Sequence, residues 1–216
     1  MSELTLIIGN KNYSSWSLRP WLLLTHAGIP FQEIRIPLYS SDWDDILAYS
    51  PSGKVPALRD GSLSLWDSLA ICEYLAECFR GHQLWPADKA ARAVARSVSA
   101  EMHSSFSDLR QNMNMNCRKF LPGKGWMPAV QEDIDRIQQM WKDCRVRFGQ
   151  EGPFLFGRFS IADAMYAPVT SRFVTYDVSL DSVPSDYVKT IQALPAMQAW
   201  NEAARAEKEV IAHYEY

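Results

Sequence analysis

Apolar and polar positions change their period once along this chain, near residue 80. Before that point, short β-like runs alternate with helical ones. Leu4-Thr5-Leu6-Ile7-Ile8 is a β-rich run closed by the turn pair Gly9-Asn10. Ser14-Ser15-Trp16-Ser17-Leu18-Arg19-Pro20 then leads into Trp21-Leu22-Leu23-Leu24 and stops at Gly28. Pro20 constrains where this helix starts, because deep inside a helix it removes a hydrogen bond and crowds an earlier carbonyl. With Ser17 as N-cap, Pro20 falls at the third helical position, where no intrahelical N–H is needed, and Gly28 is the C-terminal stop. Residues 31–36 alternate as a second strand, and residues 40–50, rich in Ser and Asp, read as a loop with a short helix. Lys54-Val55-Pro56-Ala57-Leu58 and Leu63-Ser64-Leu65-Trp66 flank Asp60-Gly61, a hairpin turn. From Asp67 the period changes: Leu69, Ile71, Cys72, Leu75, Ala76 and Phe79 follow helical spacing up to Gly81.

Beyond a connector at 81–88 that contains Pro86, strand signals vanish. Residues 90–120, 129–148, 161–173 and 196–212 read as helices. Ser160-Ile161-Ala162-Asp163 is a capping-box start, and Pro195 stands at the first position of the last helix. The predicted organisation is an α/β module over 1–80, a linker over 81–88 and an all-helical module over 89–216.

Composition narrows the class. With 47% hydrophobic and 22% charged residues the chain is neither disordered nor fibrous. A net charge of −3 argues against a nucleic-acid binder. The N-terminal apolar run is too short for a signal peptide, and no stretch approaches the length of a membrane span. A soluble, cytoplasmic protein is expected. The four cysteines, at 72, 78, 117 and 144, form no C-x-x-C pair and have no histidines at zinc-ligand spacing. They read as free, mostly buried thiols of a reducing compartment, with no metal site.

Three features of the first module point toward one cleft. Ser14-Ser15 sits at a strand-to-helix turn, where a hydroxyl and the helix N-terminus together favour an anion; the plainer reading is helix capping. No G-x-S-x-G elbow occurs, which disfavours a serine hydrolase. Val55-Pro56 precedes a short strand, where a cis peptide turns the Val55 backbone toward an extended peptide ligand. Asp67-Ser68 opens a helix; beyond capping, Ser68 suits a carboxylate and Asp67 an ammonium, the two ends of an α-amino-acid head group.

These residues, in β-α-β then β-β-α order, resemble the glutathione transferase superfamily across essentially the whole chain. Gly53-Lys54-Val55-Pro56-Ala57-Leu58 and Asp67-Ser68-Leu69-Ala70-Ile71-Cys72-Glu73-Tyr74-Leu75 look like its glutathione-binding segments. Phe159-Ser160-Ile161-Ala162-Asp163 looks like its helical-domain capping motif. The resemblance implies a thioredoxin-like α/β domain followed by an all-α domain, glutathione as co-substrate and a homodimer. Ser14-Ser15-Trp16-Ser17-Leu18-Arg19 is similar to the zeta-class pattern Ser-Ser-Cys-Ser-x-Arg. That similarity gives Ser14 the role of stabilising the glutathione thiolate, with Ser15 and then Tyr13 as rivals. It also implies that Val55 pairs with the cysteinyl backbone, that Pro56 is cis, that Asp67 and Ser68 hold the γ-glutamyl end, and that Lys54 lies near the glycyl carboxylate.

Trp16 replaces the zeta-class cysteine, which puts thiol-dependent activities of that class in doubt. Arg172 resembles an arginine that the zeta class uses near its acidic second substrate; its plainer reading is a surface or interdomain salt bridge. Trp16, Met102, Phe106, Met113 and Met115 are candidate walls of an apolar second-substrate pocket, although such stripes also build cores. His103 beside Glu101 is a candidate proton donor or a structural histidine. Cys72 falls on a core face and is a poor nucleophile. The expected function is a glutathione transferase whose thiolate attacks a small hydrophobic electrophile. The alternatives are a zeta-like maleylacetoacetate isomerase, a glutathione-dependent peroxidase, or a non-catalytic interaction protein on the same fold.

Overall fold

A computed structural model describes residues 3–215, without the side chains of residues 41–44. The first domain is a four-stranded mixed sheet in the order β2-β1-β3-β4. Strand β1 (Leu4–Ile8) runs parallel to β2 (Gln32–Arg35) and antiparallel to β3 (Ala57–Asp60), which forms a hairpin with β4 (Leu63–Trp66). The strand period of two divides the sheet's faces. Leu4, Leu6 and Ile8 face the large core with helices α1 (Ser15–Ala27) and α2 (Ser68–Cys78), whereas Ile7 joins Ile36, Ile46 and Ala57 on the other face. A 3-10 segment, Ser41–Ala48, supplies Ile46 as the cover of that second face.

The second domain is helical: α3 (Lys89–Ser104), α4 (Ser107–Asn112), α5 (Pro128–Phe148), α6 (Ile161–Thr175), α7 (Ser182–Gln192) and α8 (Pro195–Ala206). Helix α6 is its axis, buried at every position except Val174, and packs against α1 of the first domain. Its start is the capping box expected at Ser160. The Asp163 carboxylate accepts from Ser160 N (2.9 Å), Ser160 Oγ (3.0 Å), Leu155 N (3.1 Å) and Tyr187 Oη (3.1 Å). Complete burial with no cation beside it raises the Asp163 carboxyl to about 6 despite those four donors. No described helix is long and apolar enough to cross a membrane.

Four expectations change. Helix α1 begins earlier than Ser17: Ser14 is its N-cap and Pro20 is its sixth residue. Ser17 is used differently, since its Oγ accepts from Gly9 N at the end of β1 (3.1 Å) and from Ser14 Oγ (2.7 Å). Gly28 closes the helix as expected, in the left-handed conformation at φ 67° that favours glycine. Residues 90–120 are not one helix. The chain turns at Ser105 and Phe106 (φ 62°), and beyond Asn112 it runs without regular structure to Met127. Asp133 of α5 accepts from Leu109 N (2.9 Å), and Arg110 donates to the His103 carbonyl (3.2 Å), so tertiary partners satisfy the groups the break exposes.

Helix α8 stops at Ala206 rather than near residue 212, and the segment after it folds back over the first domain. Helix α7 was not expected, although Pro184, Tyr187, Val188 and Ile191 carry the i, i+3, i+4, i+7 spacing of its buried face.

Candidate functional site

The site forms where three turns of the first domain meet α4, α6 and the C-terminal segment. Two adjoining cavities of about 550 and 430 Å³ share Trp16, Lys54 and Val55 along their boundary. The smaller one holds Pro56, Asp67 and Ser68; the larger holds Tyr13, Ser14, Ser15 and Arg172. The expected catalytic and glutathione-binding positions therefore lie along one continuous depression.

At the β1–α1 turn the adjacent serines are used differently. Ser14 Oγ donates to Ser17 Oγ (2.7 Å) and lies 3.4 Å from Ser17 N, so its proton is spent inside the cap. Ser15, the first residue of α1, has an Oγ that accepts from the Arg172 guanidinium (3.3 Å). Its own proton has no acceptor among the described residues. The first-turn amides beside it carry the positive end of the helix dipole. Tyr13 is committed elsewhere: its hydroxyl donates to Glu215 Oε1 (2.5 Å) and accepts from Arg118 (2.6 Å). Burial and the Glu215 carboxylate together raise the Tyr13 phenol above its ordinary value.

The Val55–Pro56 peptide is cis. Asp67 caps α2 by accepting from Leu69 N (2.9 Å) and Ala70 N (3.2 Å), and it does so at a left-handed φ of 74°. A non-glycine residue held there is strained, and such strain concentrates at functional sites. The second oxygen of Asp67 meets His103 Nε2 at 2.5 Å, so His103 bridges α3 to this turn. Burial penalises the Asp67 carboxylate, but His103 and the two amides outweigh that and hold its pKa below the ordinary value. Glu101 does not serve His103; it pairs with Arg136 (2.7 and 2.9 Å).

Ser68 Oγ accepts from the buried Arg19 (3.1 Å), repeating the Arg172–Ser15 arrangement at the other end of the site. In both pairs the guanidinium occupies a serine lone pair and leaves the hydroxyl proton free for an anion. Arg19 also lies over the Trp16 ring (4.1 Å), and Arg110 approaches the same ring (5.5 Å). Burial lowers Arg19 to about 9 and Arg172 to about 10, so both remain cations at neutral pH. Among the described residues no carboxylate lies within ion-pairing distance of Arg19, Arg110 or Arg172; Arg172 instead donates to the carbonyls of Met113 (2.8 Å) and Pro168 (3.3 Å). Buried positive charge without a counter-ion is costly, and an anionic ligand offsets that cost.

The expected apolar walls divide. Trp16 and Met115 line the larger cavity, whereas Met102, Phe106 and Met113 are buried in the core beneath it. Met102 turns inward because the α3 face carrying Ala91, Ala95 and Val98 packs on α6; Phe106 and Met113 flank the short α4. Their places are taken by Arg110, Asn114, Leu38, Tyr39 and Tyr214, none of them foreseen. One signal was available: Asn112, Asn114 and Asn116 crowd a stretch read as helix, and asparagine is a poor helix former. Cys72 is fully buried and its thiol is pushed far above the ordinary range, which leaves it inert. The described residues contain no cluster able to hold a metal ion.

Two family models match the chain in order: the glutathione S-transferase N-terminal domain over residues 13–78 and its C-terminal domain over 127–203. The maleylacetoacetate isomerase of Rattus norvegicus is 28% identical over 195 residues, 87% of each chain. The chloroplastic glutathione S-transferase L2 of Arabidopsis thaliana is 25% identical over 204 residues, which covers 91% of this chain and 65% of that protein. Among solved structures, a glutathione transferase homolog from Burkholderia gl BGR1 with bound glutathione superposes with a TM-score of 0.72 at 25% identity, covering 95% of this chain and all of that one. A silkworm (Bombyx mori) diazinon-metabolizing glutathione S-transferase has the same fold, with a TM-score of 0.74 at 18% identity. With both domains matched in sequence order and the fold reproduced over 95% of the chain, the chain belongs to the glutathione S-transferase family.

Proposed function

We propose that this protein binds glutathione along the two adjoining cavities and uses Ser15 to hold its sulfur as the thiolate. Ser68, backed by Arg19, and Asp67 take the γ-glutamyl carboxylate and ammonium. The Val55 backbone pairs with the cysteinyl unit, Pro56 shapes that loop, and Lys54 faces the glycyl carboxylate. The sulfur then lies at the N-terminus of α1. The observation that carries this reading is the Ser15 hydroxyl, supported by a buried guanidinium and free to donate, at a helix N-terminus. Ser14, the leading candidate from sequence, is read as the cap that fixes this turn.

The energy required is modest. Lowering a thiol by about 2 pKa units takes roughly 2.7 kcal/mol. A charge-assisted hydrogen bond supplies about 1.5–3 kcal/mol, to which the helix end adds. The thiolate attacks the electrophilic carbon, a C–S bond forms, and the leaving group departs with its electron pair. The remaining task is to hold the partners together. The pH at which bound glutathione ionises, followed by thiolate absorbance, tests this assignment. Ser15→Ala should shift that pH upward while Ser14→Ala leaves it near the wild-type value; the opposite pattern overturns the choice of Ser15.

Arg110 and Arg172 favour a second reading of the electrophile. A cavity wall carrying two cations, neither in ion-pairing contact with a carboxylate among the described residues, suits an anion better than a neutral hydrophobe. A carboxylate-bearing electrophile, such as the substrate of a maleylacetoacetate isomerase, is therefore preferred over a purely apolar one. Comparing turnover of a chlorodinitrobenzoate with that of neutral chlorodinitrobenzene tests the charge preference; a higher kcat/KM for the neutral compound overturns it. A cytoplasmic location, a role in detoxification and a homodimeric assembly complete the proposal, the last checked by sedimentation.

A further inference from the structure

Trp16 lies on the boundary of the two cavities, among groups that belong to different domains. The Arg19 guanidinium carbon is 4.1 Å from the indole ring centroid, and that of Arg110, on α4, is 5.5 Å from it. The His103 ring meets the same indole edge-on at 5.3 Å, and the His103 carbonyl accepts from Arg110 (3.2 Å). The two guanidiniums repel each other, and Arg110 is one of the charges that lower Arg19. They are held unequally. Arg19 is fully buried and bound to Ser68 Oγ (3.1 Å), although its Nε has no hydrogen-bond partner among the described residues. Arg110 is half-buried on a helix of six residues, and the His103 carbonyl is the only acceptor its side chain has among the described residues. The Asp133 carboxylate, which serves Leu109 N, acts on Arg110 only from beyond ion-pairing distance.

We propose that Trp16 is a positioning residue that sets the charge preference of the second-substrate cavity, by holding the Arg110 guanidinium at the cavity wall. An indole ring attracts a cation through its quadrupole, and does so better than the other aromatic side chains. A carboxylate in its place would form a bidentate pair with Arg110 and consume its charge. The neutral ring fixes the guanidinium and leaves that charge to an anionic electrophile, in the cavity that Arg172 and Ser15 also line. The ring is a firm platform, because Arg19 and His103 hold it from the first domain and from α3. Without the indole, Arg19 keeps Ser68 and its burial, whereas Arg110 keeps a single carbonyl. The loss therefore falls on the anionic second substrate more than on glutathione. This role rests on the glutathione-dependent reading of the site, and the experiment separates the two.

The test compares Trp16→Leu and Trp16→Phe in the full chain, each with and without Arg110→Gln. The readout is the ratio of kcat/KM for a chlorodinitrobenzoate to that for neutral chlorodinitrobenzene. Trp16→Leu should lower this ratio about fivefold, the loss expected for one partly buried cation–π contact, and Trp16→Phe about twofold. In the Arg110→Gln background Trp16→Leu should change the ratio by less than about 1.5-fold, because no guanidinium remains to be positioned. Calorimetry with dinitrobenzoate, which has no leaving group, reads the same arrangement without glutathione, and its affinity should follow the ratio. A ratio and a dinitrobenzoate affinity that Trp16→Leu leaves unchanged would overturn the role of Trp16. An equal fall for both electrophiles, or an equal further fall in the Arg110→Gln background, would overturn it too, since a merely structural tryptophan gives those results. A wild-type protein that binds dinitrobenzoate through Trp16 and Arg110 but neither binds nor consumes glutathione would instead refute the glutathione-dependent reading and leave this role standing.

Discussion

The two sides of the larger cavity are built by different means. On the α/β side, Ser14, Ser15 and Trp16 come from one short turn, and Lys54 and Val55 from one loop beside β3. On the other side, Arg110, Arg172 and Tyr214 come from three separated places beyond the first domain, joined by Tyr39 from the loop after β2. Local hydrogen bonds hold the β1–α1 turn of the first side: Ser14 to Ser17, and Gly9 to Ser17. Contacts spanning between 59 and 198 residues of sequence hold the second, among them Arg172 to Met113, Arg172 to Ser15 and Ile211 to Tyr13. A side made of local turns keeps its shape while its partner side is exchanged.

Removing what both sides stand on should have the largest effect. Asp163→Ala leaves Leu155 N, Ser160 N and the Tyr187 hydroxyl without their acceptor and should cost about 3 kcal/mol, read from urea unfolding. Its pH dependence has a definite sign. The native carboxyl titrates at about 6 against 3.8 in the unfolded chain, so the native state binds the extra proton in that window. This residue's contribution to stability therefore grows as pH falls from about 6 toward 4, and Asp163→Ala should flatten that slope.

Next in size comes the α/β side alone. Ser15→Ala should lower kcat by about a hundredfold, or roughly 2.7 kcal/mol, and raise the pH of the kcat profile's acidic limb. Ser14→Ala should cost about 1 kcal/mol of stability with a smaller loss of rate. Equal losses of rate would erase the proposed division between the two serines.

The helical side should respond differently. Arg172→Gln should lower kcat/KM for a chlorodinitrobenzoate by about thirtyfold, near 2 kcal/mol, and for the neutral chlorodinitrobenzene by less, with Arg110→Gln following the same order more weakly. Asp67→Asn is the mildest change, because asparagine keeps the N-cap while losing the charge offered to an ammonium. It should raise the glutathione KM about tenfold, near 1.4 kcal/mol, with kcat little altered. A fall in kcat with an unchanged KM would break the assignment of Asp67 to the γ-glutamyl end.

Much of the fold was legible in the pattern. The β1 run, the hairpin at Asp60-Gly61, the Gly28 stop, the Ser160–Asp163 capping box and the starts of α5 and α8 appear where the residues place them. The failures share a cause. Residues 90–120 read as helix by spacing, yet Asp133 and the buried Phe106 impose a turn that the spacing does not contain. Helix α8 read past Ala206, yet Arg118 and the Lys11 and Asn12 amides draw the following backbone away from helical bonding. Ser14 and Ser15 are equivalent in sequence and become distinct only because Arg172 reaches one of them. Met102 and Phe106 have the stripe of a pocket wall and serve as core, since a helix's apolar face does not state which neighbour covers it.

The sequence by itself determined the two-domain organisation and the turns that present Ser14, Ser15, Val55, Asp67 and Ser68. Those features depend on periodicity, capping and backbone preferences within a few residues of chain. Tertiary structure alone decided which serine keeps a free proton, and that Arg110, Arg172 and the C-terminal Tyr214 line one cavity with it. The reason is physical: a lone pair, a counter-ion or a covering ring comes from whatever packs nearby, and those neighbours lie up to 198 residues apart in the chain.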